Sequence, residues 1–239
     1  MEIQVKQIEL NGLTFTYRES GDSTAPPLVA LHALGESAES WDKAAAVLGK
    51  EYRVLALDQR GHGGSARTST YTIELMCDDL LHFANELNLE RFTLIGHSMG
   101  GIVSYLFAET YPTRLERLII EDIGPPFQDK PKEIPSKPSH PLPFDWEVVP
   151  SILSINNKPE WWEGLTEISM PTLIISGGSS KTPKDKLTEV SKLIPNCELV
   201  TIVGAGHFVH DDNLPDFLDA VNNFLKTRDS KEISNKILY

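Results

Sequence analysis

Residues 91–101, RFTLIGHSMGG, are the stretch whose reading decides the fold. Phe92, Leu94 and Ile95 form a short apolar run suited to a strand, while Met99, Ile102, Val103, Leu106 and Phe107 recur at helical spacing directly after it. The segment therefore predicts a buried strand, a sharp turn at Ser98 and the start of a helix. Gly96 and Gly100 lack a Cβ, which lets the flanking backbone pass close on both sides of the turn. Ser98 Oγ is then held in the open, with the N–H groups of the new helix directed at whatever it attacks. G-x-S-x-G also occurs as a chance turn, so the surrounding chain has to supply the context.

Outward from this segment, the N-terminal stretches MEIQVKQIEL and LTFTYRE alternate apolar and polar residues and are joined by Asn11-Gly12, which predicts an antiparallel hairpin at a sheet edge. After Ala25-Pro26-Pro27 the pattern changes to short apolar runs at residues 28–31, 53–57, 92–95, 117–120, 172–176 and 198–203. Strands without alternation belong to a sheet covered on both faces. Helical patterns lie between them, near residues 38–48, 72–88, 99–110, 184–193 and 214–226. Strand and helix alternation with right-handed crossovers implies an α/β fold with a mostly parallel eight-stranded sheet.

Residues 124–150 break this rhythm with eight prolines in 27 positions, which excludes continuous helix or central strand there. The expected division is a core of residues 1–123 and 169–228, an insertion of residues 124–168 and a C-terminal tail of residues 229–239. The insertion carries Phe144, Trp146, Trp161 and Trp162. Two readings are open for it: a surface crossover anchored by its aromatics, or a small cap whose aromatics form an apolar wall of a substrate pocket.

Composition narrows the function. With 239 residues, 40% of them hydrophobic, the chain has enough apolar side chains for one sizeable core. A formal net charge of -12 argues against nucleic acid or an anionic membrane as partner, and favours a small neutral substrate. Two cysteines, Cys77 and Cys197, make neither a disulfide framework nor a cysteine metal site. The charged start lacks an apolar leader and no run approaches a membrane span, so a cytoplasmic protein without membrane insertion is expected. Nothing in the composition sets an oligomeric state.

A serine nucleophile needs a base and a carboxylate that orients it. His207, in the glycine-bounded loop VGAGHFVHDD after the last strand, is placed at the same sheet end as Ser98 and is the expected base. His82, His140 and His210 have surface or supporting roles. The loop after residues 172–176 reads GGSSKTPKDK, with no carboxylate before Asp185. Residues 117–120 instead run into Glu121-Asp122, which makes Asp122 the expected acid, in the chain order serine, acid, histidine. The competing readings are a solvated acidic pair that closes a strand, or Asp185 as the acid. Backbone N–H groups of Leu34 and Met99 are the expected oxyanion donors, with His32 bracing the loop or lining the pocket. The turn DQRGHGGS at residues 58–65 imitates a phosphate loop, but no lysine follows it, and Asp58 and Arg60 are expected to pair within it.

Taken together, HALG, LDQRGHGGS, GHSMGG, EDIGPP and GAGHFVHDDNLPDFLDAVNNFL resemble the α/β-hydrolase superfamily from about Ile8 to Leu225. EDIGPP resembles the D-I-x-P segment of short-acyl esterases whose acid follows the sixth strand. Two departures stand out: Ala33 replaces the usual glycine, and the insertion is short. The resemblance implies a serine hydrolase without cofactor or metal, a carboxylesterase acting on small or medium acyl esters through an acyl-enzyme on Ser98. The expected substrate pocket is drawn from His32, Phe144, Trp146, Trp162 and Phe208. The same triad serves lactonases, thioesterases, carbon–carbon bond hydrolases, perhydrolases and a lyase of menaquinone synthesis. That lyase uses arginines, and residues 124–171 have none. A different class of reading is a ligand-binding protein that keeps the fold with residual or no turnover.

Overall fold

Asn11 and Gly12 both adopt positive φ, 51° and 77°, as a two-residue turn that follows the right-handed strand twist demands. They join β1 (Gln4–Leu10) to β2 (Leu13–Ser20) at one sheet edge. The computed structural model describes residues 2–127, 133–155 and 159–226. The expected tail at residues 229–239 lies outside the described residues.

Beyond the hairpin follow β3 (Pro27–Leu31), a 3₁₀ turn (Ala38–Trp41) that runs into α1 (Asp42–Leu48), β4 (Arg53–Leu57), α2 (Ile73–Glu86), β5 (Phe92–His97), α3 (Met99–Thr110) and β6 (Leu115–Glu121). Thr72 caps α2 by accepting the Leu75 N–H at 3.1 Å, and Asn88 at φ 54° takes the chain out beyond its end. This is why the helix is shorter at both ends than the expected 72–88. After the insertion come β7 (Thr172–Gly177), α6 (Lys184–Leu193), β8 (Cys197–Ile202), a short α7 (Val209–Asp212) and α8 (Leu214–Lys226). The last strand stops one residue early, because the chain turns at Gly204 (φ 81°) and leaves Val203 83% exposed.

The eight strands lie in the order β1-β2-β4-β3-β5-β6-β7-β8, with β1, β2 and β4 paired antiparallel and all other pairs parallel. Side chains of the central strands alternate between two separate cores. Val29, Leu31, Leu94, Leu118, Ile120 and Ile174 face the side of α2, α3 and α6. Leu28, Ala30, Ile95, Ile119, Leu173 and Ile175 face the side of α1 and α8. Both faces are therefore buried, which is why these strands read as unbroken apolar runs. The edge strand β8 is the exception and is half exposed along most of its length.

Strand order reverses at β3, whose neighbours are β4 and β5. Such a switch point opens a crevice at the carboxyl ends of the strands, where ligands bind in open α/β sheets. The segments leaving β3 and β5 there are His32-Ala33-Leu34 and Ser98-Met99.

Among its described residues, the insertion from β6 to β7 is mostly irregular up to residue 147. It then forms α4 (Val148–Leu153) and α5 (Pro159–Glu163). Pro150 sits in the first turn of α4, where no intrahelical N–H bond is lost.

Close contact between α3 and β3 depends on Gly100, where a Cβ would stand 2.5 Å from the Leu31 carbonyl oxygen. Gly100→Ala is expected to cost about 1–3 kcal/mol in urea denaturation at unchanged m. An unchanged midpoint would mean that the turn relaxes freely.

Candidate active site

Ser98 occupies the turn between β5 and α3 with φ 50° and ψ -114°, a backbone conformation that side chains other than glycine's rarely adopt. Such a residue carries about 1–3 kcal/mol of strain and persists only where its surroundings over-determine it. Here the Ser98 N–H donates to the Glu121 carbonyl at 3.2 Å and the Gly100 N–H to the His32 carbonyl at 3.2 Å. Ser98 is half-buried beside an apolar hollow of about 100 Å³, whose walls include Leu34, Met99, Ile102, Ile123 and Phe127.

Asp122 directly follows β6, also at positive φ (51°), and is wholly buried. Its Oδ2 lies 2.8 Å from His207 Nδ1. An ionised carboxylate only accepts, so the proton sits on Nδ1 and leaves Nε2 as the basic nitrogen. Burial alone would raise the Asp122 carboxyl. Hydrogen bonds from His207, Ser180 Oγ, the Gly177 N–H (2.8 Å) and Thr182 Oγ1 (2.9 Å) outweigh it and hold the group below its ordinary value. The loop after β7, where the sequence lacks a carboxylate, thus supplies donors to the carboxylate of β6. Asp185 is exposed in the first turn of α6. Glu121 and Asp122 are both without solvent exposure, so the reading of a solvated acidic pair fails. His97, next to Ser98, donates from Nε2 to the His207 carbonyl at 2.8 Å and brings the two segments together.

Two loops hold the segment expected to supply the oxyanion donors. Met99 opens α3, whose first N–H groups have no partner within the helix, and Leu34 faces the same hollow. His32 is fully buried: Nδ1 binds its neighbour's carbonyl at 2.8 Å, and Nε2 accepts the Gln59 N–H at 3.0 Å. It braces the loop and does not line the hollow. His62 Nε2 accepts the Gly35 N–H at 3.2 Å, and Phe144 stacks on His62 at 5.6 Å. The glycine-rich turn after β4 is therefore a brace for the loop after β3. The expected pairing within it is not what the structure holds. Arg60 reaches Asp79 on α2 at 2.5 Å, while Asp58 accepts the N–H groups of Ala38 (2.7 Å) and Gly64 (2.8 Å), because a buried carboxylate facing backbone donors needs no cation.

Residues 26–150 match the family described as alpha/beta hydrolase fold. The chain belongs to that family. The mouse (Mus musculus) sn-1-specific diacylglycerol lipase ABHD11 is 28% identical over 86% of this chain and 82% of its own length. Among solved structures, the thioesterase domain from the curacin biosynthetic pathway superposes with a TM-score of 0.82 at 21% identity, over 95% of this chain and all of that one. The enol-lactonase from Burkholderia xenovorans LB400 gives 0.79 at 22% identity, over 93% and 100%. This α/β hydrolase is thus an enzyme of the hydrolase class, and among its described residues no helix is long and apolar enough to cross a membrane.

The remaining pocket residues of this hydrolase are dispersed. Phe208 stands at the His97 and His207 rings, with centroids 5.1 and 5.6 Å away. Trp162 donates from its indole N–H to the Pro126 carbonyl at 3.1 Å and faces a separate hollow with Phe127 and Lys186, so it props the wall without touching Ser98. Phe144 and Trp146 border neither the hollow at Ser98 nor the cleft at His207. Sequence reading missed Phe127, Ile152, Leu153 and Ile155, which do wall the hollow at Ser98, because the apolar residues of an irregular segment have no periodicity to reveal them. It also missed His97, although the imidazole stands inside the quoted GHSMGG. Among the described residues, His97, Glu121 and His210 are the one group with ligand atoms close enough for a metal, within 4.8 Å of one another. The ring protons of both histidines are already spent on the His207 carbonyl and on Glu121.

Burial pushes three imidazoles down from 6.5, to about 4 for His32, about 3 for His62 and about 4 for His97. The unfolded chain binds these protons below pH 6.5 while the native state refuses them, so their contribution is full above that pH and is lost as pH falls. Stability should drop by up to about 4 kcal/mol per pH unit near pH 5 from these three groups. Urea denaturation from pH 7 to 5 measures this; a flat profile would show that the native hydrolase takes up the protons.

Proposed function

We propose that this hydrolase is a serine carboxylesterase for small to medium acyl groups, with Ser98 as nucleophile, His207 as base and then acid, and Asp122 as the orienting carboxylate. The observation that carries the reading is the 2.8 Å contact of buried Asp122 with His207 Nδ1, beside a serine held in a strained turn. In the proposed cycle His207 Nε2 takes the Ser98 proton as Oγ attacks the ester carbonyl, and the N–H groups of Leu34 and Met99 receive the negative oxygen. His207 returns the proton to the leaving alcohol, and water then cleaves the acyl-enzyme by the same steps in reverse. No cofactor or metal enters the cycle.

Size favours a short acyl group. At roughly 30 Å³ for each water-sized group in a liquid, the hollow of about 100 Å³ beside Ser98 holds an acyl chain of about three or four heavy atoms. A larger cleft of about 740 Å³ borders His207, Ser180, Lys181 and Thr182. The leaving group, which His207 must protonate, belongs on that side. The insertion acts as a cap: Phe127, Ile152, Leu153 and Ile155 supply much of the hollow's apolar wall. The name of the mouse relative, a diacylglycerol lipase, is that of an ester hydrolase and supports the reaction class.

Hydrolysis of p-nitrophenyl esters from acetate to octanoate, run on the wild type beside Ser98→Ala and with a fluorophosphonate probe, tests this. Turnover is expected to peak at the short esters, and Ser98→Ala to lose labelling and about 10⁶-fold in kcat. Leu153→Ala is expected to move the optimum to longer chains. Labelling without turnover would point to a specialised substrate, and neither signal in a folded sample would favour the ligand-binding reading.

A further inference from the structure

Behind the proposed triad lies a second layer of buried groups that the hydrolytic cycle does not use. Glu121, the last residue of β6, is wholly buried, and His210 is 1% exposed. Glu121 Oε1 accepts both the His210 backbone N–H (2.9 Å) and its ring Nδ1–H (2.8 Å), and Oε2 lies 2.7 Å from the same nitrogen. The Glu121 carbonyl accepts the Ser98 N–H. One residue is thus joined to the acid by a peptide bond, to the nucleophile by its carbonyl and, through its side chain, to the helix that begins just after His207. Trp41 stacks on the His210 ring at 4.4 Å, which fixes the ring's plane.

A buried carboxylate and imidazole are costly to desolvate, and replacing such a pair with apolar groups is often neutral or stabilising. A pair kept for stability alone is therefore a poor explanation for one that touches all three triad segments. Burial would raise the Glu121 carboxyl and lower the His210 imidazole. Their mutual attraction outweighs it in both, so the carboxyl stays below its ordinary value and the imidazole above its own. The other charged or titratable groups facing the pair are His97 on β5, Asp211 at 3.9 Å from His210 Nε2, and Glu36 on the loop after β3.

We infer that Glu121 and His210 form a positioning pair that sets the His207 segment against Ser98 and Asp122, so that its loss lowers kcat and leaves KM nearly unchanged. The inference rests on the hydrolase reading above. Because proton transfer is far more sensitive to placement than substrate binding is, a displacement near 1 Å costs about 100-fold in rate.

Kinetics with a short p-nitrophenyl ester and the rate of fluorophosphonate labelling, measured on Glu121→Gln, His210→Leu and His210→Asn, test the inference. Glu121→Gln and His210→Leu are expected to lose about 100-fold in kcat, with KM within about twofold and labelling slowed in parallel. His210→Asn keeps a donor for Glu121 and is expected to stay within about tenfold of wild type. Folded Glu121→Gln and His210→Leu variants that keep kcat within about threefold while only Tm falls would overturn the positioning role and leave the esterase reading intact. If Glu121→Gln does not fold, equal kcat in the two His210 variants overturns it, and a gap of about tenfold or more in favour of Asn supports it. A wild type with neither turnover nor Ser98-dependent labelling overturns both.

Discussion

Two adjacent carboxylates, Glu121 and Asp122, leave β6 at the carboxyl end of the parallel sheet with no solvent around either. A carboxylate without water must find donors within the protein. Those donors come from segments far apart in sequence: the end of β7 and the loop after it through Gly177, Ser180 and Thr182, and the loop after β8 with the start of α7 through His207 and His210. Satisfying the pair therefore orders both loops. The two side chains leave β6 for different histidines, so one strand end organises both the proposed triad and the layer behind it.

Strain is concentrated at the same place. Ser98 and Asp122 are two of the four residues other than glycine with positive φ among the described residues, the others being Asn11 and Asn88 in turns. Asparagine tolerates that region and needs no outside support. Serine and aspartate are held there by the register of β5 against β6, which pairs His97 with Glu121, and by the hydrogen bonds from Ser98 N–H to Glu121 and from Asp122 N–H to Ile175. The cores on both faces of the sheet are what keep this register from slipping, since a slip of one residue would send every side chain of the strand to the wrong face.

Most of the fold was legible in the chain because it is written in local patterns. The Asn11-Gly12 turn, the apolar runs of β3 to β7 and the helical spacing of α3, α6 and α8 need no distant information. That Ser98, Asp122 and His207 would lie at one end of the sheet was legible for a related reason: each follows the end of a strand, and parallel strands bring their ends together. Contacts that depend on three-dimensional packing were not legible. Arg60 pairs with Asp79 across 19 positions in sequence, and His210 with Glu121 across 89. The loop GGSSKTP advertised only a missing acid, whereas its hydroxyls serve the acid of the neighbouring strand. The tryptophans drew attention by size, yet smaller residues of the insertion wall the hollow, a matter of backbone path that composition does not encode.

On the proposed reading, chemistry and selectivity are built from separate parts of this chain. Ser98, Asp122 and His207 stand on the sheet and its connecting loops, and among the described residues the hydrogen bonds that place them come from Glu121, Gly177, Ser180 and Thr182, outside the insertion. The apolar wall beside Ser98, by contrast, draws on Phe127, Ile152, Leu153 and Ile155, all from the insertion. Changes in the insertion can then alter what fits without disturbing what reacts. A thioesterase domain and an enol-lactonase share this fold at low identity. Shared architecture specifies where a nucleophile and its base meet, and the size of the space above them specifies which carbonyl is presented.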